Sequence, residues 1–435
     1  MRFAIATLGC KVNQYDSAMI ESRLAALGMV RGDFNEPADV YVVNTCTVTD
    51  RADTESLRMA RRARRLNPEA RVIMTGCLAQ ASPDVLAKAH EVDAVIGLGR
   101  PADLERAALG PIEERVMVTN LRKERAEIEL GAVALDGHTR AFLKLQEGCD
   151  QFCTYCIVPF SRGRSRSVEP RRVIDAIDGL HARGFKEVIL SGVHLGSYGC
   201  DMDPPIRLEA LLEMLAERSP IGRIRLSSID PEELSDDLIS IVADSAKFCP
   251  HFHLPLQAGD DGILTRMRRR YTTADYRERV TRIIVAMPDA AIGTDVIAGF
   301  PGESDEEFER GFSYIESLPL AYLHVFPYSV RAGTTAAKFA DRVPPAVIKR
   351  RAAALRELGE IKKRRFAAAA AGKRLKVLLE KQDDGRLEGY SRNYVRVATA
   401  GPAGLVNHEV EVEVSFVQGV AVSGQIIRTF NSPSA

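Results

Sequence analysis

Three cysteines stand within eight residues, at Cys149, Cys153 and Cys156, and no other feature constrains this chain as strongly. The preceding run Phe142–Gln146 reads as a strand, so the loop hangs from a strand's carboxyl end. A thioredoxin-like pair of Cys153 and Cys156 leaves Cys149 unexplained. Tetrahedral zinc wants a fourth protein ligand, and no Cys or His follows at finger spacing. Three thiolates can instead hold three corners of an iron–sulfur cubane, leaving one iron open to an outside ligand. Ordinary electron-transfer clusters are usually held by four cysteines.

The scaffold around that loop is legible as alternating strands and helices. At roughly 150 residues per domain, 435 residues suggest about three domains. Strand-like runs at Phe3–Leu8, Val40–Thr45, Arg71–Thr75 and Ala94–Gly97 alternate with helical segments Asp16–Leu27, Ser56–Leu66 and Pro83–His90. That order predicts an N-terminal, doubly wound parallel α/β domain over 1–112. Gly97-Leu98-Gly99-Arg100-Pro101 mimics a dinucleotide fingerprint, but reads better as a turn followed by proline at a helix start. A charged linker over 113–137 leads to a second α/β domain, 138–343. Its strands are expected at Phe142–Gln146, Glu187–Ser191, Ile224–Ser227, Phe252–Leu256, Ala291–Ile297 and Leu323–Tyr328. Six βα units predict a complete or partial TIM-type barrel. A basic helix over 344–370 precedes five short strands in 371–430, which predict a small OB-like β-barrel of the kind that binds oligonucleotides.

Composition narrows the setting. Lys plus Arg and Asp plus Glu are both 59, so nucleic-acid binding must be argued from local patches. No apolar run approaches the ~20 residues of a membrane span, and no signal segment is recognisable. A cytoplasmic location is expected, where the eight cysteines would not form disulfides. Cys10, Cys46 and Cys77 each follow one of the predicted N-terminal strands (ATLGC, VVNTC, MTGC). The carboxyl edge of a parallel sheet is where ligands bind, so these three are read as a second metal-binding trio. Scattered buried cysteines are the competing reading. Cys200 and Cys249 share no such pattern and are read as structural, while His251 and His253, on one strand face, are read as core residues or as supports behind a ligand in preference to ligands themselves.

The C-x3-C-x2-C run, with Tyr155 before its last cysteine, resembles the signature of radical S-adenosylmethionine (SAM) enzymes. By resemblance, the open iron would bind SAM, and one electron would cleave it to methionine and a 5′-deoxyadenosyl radical. SAM-binding residues are then expected at strand ends, at Gly192, Val193, Asp295 and Gly299. The whole chain, in this domain order, resembles the methylthiotransferase family, whose tail is a TRAM domain that binds RNA. The resemblance implies two 4Fe–4S clusters, on Cys10, Cys46, Cys77 and on Cys149, Cys153, Cys156. Gly9-Cys10-Lys11-Val12-Asn13-Gln14-Tyr15, Asn44-Thr45-Cys46-Thr47-Val48-Thr49 and Gly192-Val193-His194-Leu195-Gly196-Ser197-Tyr198 look most like the branch acting on threonylcarbamoyladenosine in tRNA. Two SAM molecules per product are implied, one methylating a sulfur and one generating the radical that attacks C2 of adenosine 37. An external electron donor and a sulfur source are implied partners.

An aromatic C–H is too strong for side-chain acid–base chemistry, so no conventional catalytic group is expected. The alternatives are methylthiotransferases for isopentenyladenosine tRNA or a ribosomal-protein aspartate, and a zinc-stabilised RNA-binding protein. RNA contacts are expected from four basic runs. These are Arg162, Arg164 and Arg166; Arg58, Arg61, Arg62, Arg64 and Arg65; Arg266, Arg268, Arg269 and Arg270; and Lys349, Arg350, Arg351, Lys362, Lys363, Arg364 and Arg365. In the tail, Tyr390, Arg392, Tyr394 and Arg396 suit base stacking with backbone neutralisation, core packing being the alternative for the tyrosines.

Overall fold

The computed structural model describes residues 1–124, 127–130 and 139–430. Part of the expected linker 113–137 and the first residue of the second domain, 138, therefore lie outside the described residues. In the N-terminal region six parallel strands form one sheet in the order Val30–Arg31, Arg2–Thr7, Val40–Thr45, Arg71–Gly76, Ala94–Ile96, Val116–Met117. All six residues of Val40–Thr45 are buried, as a parallel strand covered on both faces requires. Strand order reverses between Arg2–Thr7 and Val40–Thr45, the crevice where such sheets bind ligands.

Two helices begin earlier than the periodicity predicted. Lys11–Ala26 starts directly after Cys10, and Asp50–Leu66 starts after Thr49, whose side chain accepts from the Ala52 amide at 3.3 Å. The first turn of the second helix carries Asp50 and Asp53 and no apolar stripe, which hid it. A further short helix, Cys77–Ala81, was not expected. Helix Pro101–Leu109 does begin on its proline, after Gly99 at φ +80°.

The central region carries six parallel strands: Arg140–Glu147, Glu187–Gly192, Ile224–Leu226, His251–His253, Ala291–Ala298 and Tyr322–Pro327. Single bridges, Ile224 to Phe248 and Ser228 to His253, join the two halves into an open barrel. Alternation along each strand sends Ala141, Leu143, Leu145, Val188 and Leu190 outward into the large apolar core beneath the helices. The opposite face is polar, with Lys144, Glu187, Arg223, Arg225, His251 and His253 all buried.

Helix Pro345–Ala368 leads into a closed five-stranded barrel: Arg374–Asp383, Arg386–Ser391, Arg396–Ala400, Glu409–Gln418 and Ala421–Thr429. Val410, Val412 and Val414 fill its core, as their alternation with Glu411 and Glu413 predicted. The third strand starts at Arg396 rather than Tyr394, because Tyr394 sits in a turn at φ +67°. No helix among the described residues is long and apolar enough to cross a membrane.

Candidate functional site

The N-terminal trio is assembled by register. Thr7 pairs with Asn44, Asn44 with Thr75, and Thr45 with Gly76, so three strand ends lie side by side, each releasing a cysteine within three residues. Gly9, at φ +96°, lets the chain graze Cys46: a β-carbon there would fall 2.7 Å from the Cys46 Sγ. Asn13 secures the junction by donating to the carbonyls of Leu8 (2.7 Å) and Thr45 (2.9 Å). Cys46 and Cys77 are buried, and Cys10 is exposed. Burial pushes the Cys77 thiol up to about 11, with Cys10 and Cys46 adding repulsion against the opposing Arg162. Burial likewise raises Cys46. Three unbridged, mutually repelling sulfurs on one edge are a donor set suited to a thiophilic cation.

The second trio lies in the loop after strand Arg140–Glu147. Gly148, at φ +76°, starts the loop, and the Cys149 amide donates to Gly163 O at 3.1 Å. Burial raises Cys153 and Cys156, and neighbouring thiols push the same way. Arg269 donates to the Cys153 Sγ at 3.3 Å and pairs with Asp230 at 2.7 Å. His194 lies 2.9 Å from Glu233 and 3.5 Å from Asp230. Burial opposes a charge on His194, yet Asp230, Cys149 and Glu233 hold its pKa up at about 12. The loop's sulfurs thus sit between two cations anchored by carboxylates.

One side chain ties the first trio to the strand that leads into the second. Arg162, only 2% exposed, places its Nε 3.3 Å from the Cys77 Sγ and its Nη1 2.7 Å from Glu147, two residues before Cys149. Its other nitrogen reaches Asp16 at 3.0 Å and also Asn13. Lys144 completes the cluster, 2.6 Å from Asp16 and 2.5 Å from Glu147. Arg162 and Lys144 hold Glu147 down at about 2, against burial that pushes it up. A second tie runs from Arg331, which bonds Asp53 at 2.5 Å and Ser329 at 2.8 Å and reaches the Thr47 hydroxyl beside Cys46 at 3.4 Å. Arg162 and Arg331 thus tie the strand ends that release Cys77 and Cys46 to the central domain, Arg162 at the strand that leads into the second cysteine loop.

The other expected site residues take different places. Gly192 ends its strand against Gln146, where a β-carbon would lie 3.1 Å from the Gln146 side chain, and the Val193 amide reaches Gln146 O at 3.4 Å. Asp295 faces the barrel lumen between His253 (3.0 Å) and His324 (3.2 Å). Gly299 looks outward: its β-carbon would strike Ile348 of the long helix at 2.4 Å, while its amide donates to Glu303 at 2.8 Å. Cys249 is buried, and Cys200 is exposed.

Several expected RNA contacts are corrected. Arg162 and Arg166 are buried, and only Arg164 of that run is exposed. Helix Asp261–Met267 stops before Arg268, which adopts φ +62°, so of Arg266, Arg268, Arg269 and Arg270 only Arg266 lies on that helix. Arg58, Arg61 and Arg64 pair with Glu55, Glu91 and Asp93. Arg351 binds Glu303, and Lys362 donates to the carbonyls of Glu316 and Leu318, whereas Lys349, Arg350, Lys363, Arg364 and Arg365 stay exposed.

Tyr390 and Tyr394 stack on one another at 5.0 Å and close the amino end of the central barrel. Arg225 lies 5.0 Å over Tyr394 and donates to Arg392 O at 2.9 Å, while Arg223 donates to Tyr390 O at 3.1 Å. These tyrosines join two domains instead of offering free stacking faces. Arg162, Arg269 and Arg331 carried no spacing signal for their roles, since their partners are remote in sequence.

Comparison with known proteins gives two matches to family descriptions: "Uncharacterized protein family UPF0004" over residues 2–97 and "Radical SAM superfamily" over residues 143–315. The threonylcarbamoyladenosine tRNA methylthiotransferase MtaB of Bacillus subtilis is 38% identical, with 98% of this chain and 96% of that protein covered. The same-named protein of Aquifex aeolicus is also 38% identical, covering 92% and 97%. A tRNA-2-methylthio-N(6)-dimethylallyladenosine synthase of Clostridium novyi is 34% identical, covering 98% and 96%. In fold, the chain is similar to the radical SAM methyltransferase TsrM of Kitasatospora setae, at a TM-score of 0.58 and 14% identity over 74% of this chain and 72% of that one.

Proposed function

Because the chain belongs to the radical SAM tRNA methylthiotransferase family, we propose that it adds a methylthio group at C2 of N6-threonylcarbamoyladenosine, at position 37 beside the tRNA anticodon. The observation that supports the reading is Arg162, which bonds both Cys77 of the first trio and Glu147, two residues before Cys149 of the second. A transfer that needs a radical source and a sulfur source at one base needs both cofactors within reach of it.

In this reading Cys149, Cys153 and Cys156 would hold the 4Fe–4S cluster that works with SAM, and Cys10, Cys46 and Cys77 would hold the other. When bound, these groups supply the hydrogen-abstracting radical and the sulfur, chemistry beyond any side chain. The polypeptide's work is placement. Arg162, Lys144, Asp16 and Glu147 fix the N-terminal and central domains relative to each other. Arg269 and His194 set positive charge beside the loop's sulfurs, which favours thiolate over thiol. Gly192 and Val193 at their strand's end would border SAM, with Asp295 deeper in the lumen, inside strand Ala291–Ala298, and Gly299 keeping the next turn packed. The stacked Tyr390 and Tyr394 seal the far end of the lumen against water.

The units divide accordingly: 1–112 carries the auxiliary cluster, 138–343 the SAM-cleaving cluster, and 344–370 with the 371–430 barrel approach the RNA. The enzyme works in the cytoplasm with an external electron donor and sulfur source. The test is a comparison of tRNA nucleosides from a host lacking its own equivalent, with and without this chain. Appearance of 2-methylthio-threonylcarbamoyladenosine is expected. An unchanged nucleoside profile, with the chain expressed and loaded with iron, overturns the reading.

A further inference from the structure

The barrel lumen holds one charge without a mate. Lys11 opens helix Lys11–Ala26 directly after Cys10, and its ammonium lies 6.0 Å from the centre of the Phe142 ring, on the lumen face of the first barrel strand. Among the described residues it has no hydrogen bond and no ion pair.

The nearby carboxylates are engaged elsewhere. Glu187 is held by Arg223 and Arg225, each at 2.8 Å. Asp295 is held by His253 and His324, and Glu380 by Arg140 at 2.5 Å. On the fourth barrel strand, facing the same lumen, His251 spends its Nε2 on the Tyr322 hydroxyl at 2.9 Å, and its buried Nδ1 has no partner. A partly buried ammonium beside the first barrel strand and a buried imidazole nitrogen on the fourth, both open and facing one lumen, are costly unless a ligand completes them.

We propose that this part of the lumen is the subsite for an anionic substituent on the target nucleobase, with Lys11 as the counter-ion of its carboxylate and His251 Nδ1 as a second polar contact. The inference rests on the threonylcarbamoyladenosine reading above and deepens it. A threonine group carries one carboxylate and one hydroxyl and can satisfy both open groups. A dimethylallyl group is wholly apolar, and would seal Lys11 away from water with nothing to pair it. Lys11 is therefore a specificity-determining residue, and the Tyr394 and His251 rings, 4.7 Å apart and tilted at 40°, form the floor against which the substituent ends.

The experiment uses the cluster-loaded protein and three anticodon stem-loop RNAs. One bears threonylcarbamoyladenosine, one the same group with its carboxylate as the methyl ester, and one dimethylallyladenosine. Binding is measured anaerobically without reductant, and kcat/KM with it. The wild type should favour the free acid over the ester by about tenfold or more, as a site built around one polar group does. Lys11→Met should bring the acid-to-ester ratio close to one, and Lys11→Arg should restore most of it. A wild type that modifies the acid RNA yet treats the ester equally well overturns the subsite. So does a Lys11→Met variant that keeps the wild-type ratio. A wild type that methylthiolates only the dimethylallyl RNA overturns the substrate reading itself, a separate failure visible without any variant.

Discussion

In the loop from Cys149 to Cys156 three sulfurs are gathered by seven consecutive peptide bonds, whereas Cys10, Cys46 and Cys77 are gathered by three parallel strands. The first arrangement survives any change that leaves one loop intact. The second exists only while the sheet order and register hold, because Thr7, Asn44 and Thr75 must stay in line for their cysteines to meet. A chain-local site is written in spacing; a fold-built site is written in topology. The two also differ in their neighbours: the loop has its own cations, Arg269 and His194, while the sheet trio borrows Arg162 from the other domain.

The sharpest way to break this comparison is to remove one sulfur from each set. Cys153→Ala should reduce SAM cleavage to background, read as 5′-deoxyadenosine. Cys46→Ala should spare part of that cleavage and stop methylthio formation, read by nucleoside mass spectrometry. Each variant should fall from about eight irons per chain to about four. Equal loss of both activities in a folded Cys46→Ala protein would end the division of labour between the trios.

A smaller effect is expected from the side chain that ties the first trio to the central domain. Arg162→Met leaves Glu147 and Asp16 buried with only Lys144 to answer two carboxylates, a loss of about 3–5 kcal/mol by the usual cost of breaking a buried pair. The pH dependence follows from Glu147, depressed to about 2 from its ordinary 4.5. A depressed carboxylate contributes stability that is complete above its ordinary pKa and is lost as pH falls through the folded value. Wild-type melting temperature should therefore drop as pH falls from about 4.5 towards 2, and Glu147→Gln should flatten that part of the profile.

These neighbours also mark what the sequence could and could not disclose. The strands were legible because runs such as Val40–Thr45 are buried on both faces and carry no competing pattern. The closed C-terminal barrel was legible from the Val410, Val412, Val414 alternation. Arg162, however, looks like any arginine in a basic run. Only folding brings it to Asp16 and Asn13, 146 and 149 residues away, and turns an expected phosphate contact into a buried strut. Tyr390 and Tyr394 misled for the same reason. Interleaved aromatic and basic residues describe an RNA surface and a domain interface equally well, and the partner surface decides between them.

Glycines sharpen the contrast at lower cost. Gly9→Ala would drive a β-carbon to within 2.7 Å of Cys46 and strain a residue at φ +96°, of the order of 1–3 kcal/mol. Iron should be lost from the sheet trio, with the loop's SAM cleavage retained in larger part. Gly148→Ala is the counterpart, since its β-carbon would meet Arg164 O at 2.0 Å. It should impair SAM cleavage first. Iron content and 5′-deoxyadenosine yield, measured together, check whether each glycine serves its own trio.

The least disruptive comparison lies two residues apart. Arg162 is buried and bound, whereas Arg164 emerges from the same segment into solvent. An exposed arginine there can neutralise one RNA phosphate without touching the fold. Arg164→Ala should leave melting temperature and iron content unchanged and weaken RNA binding only a few-fold. Because one contact with single-stranded RNA releases about 0.7 counterion, the slope of log affinity against log salt should become shallower by about 0.7. A variant with wild-type slope would place the RNA elsewhere, with the exposed Lys349, Arg350, Lys363, Arg364 and Arg365 of the long helix as the remaining basic track leading towards the C-terminal barrel.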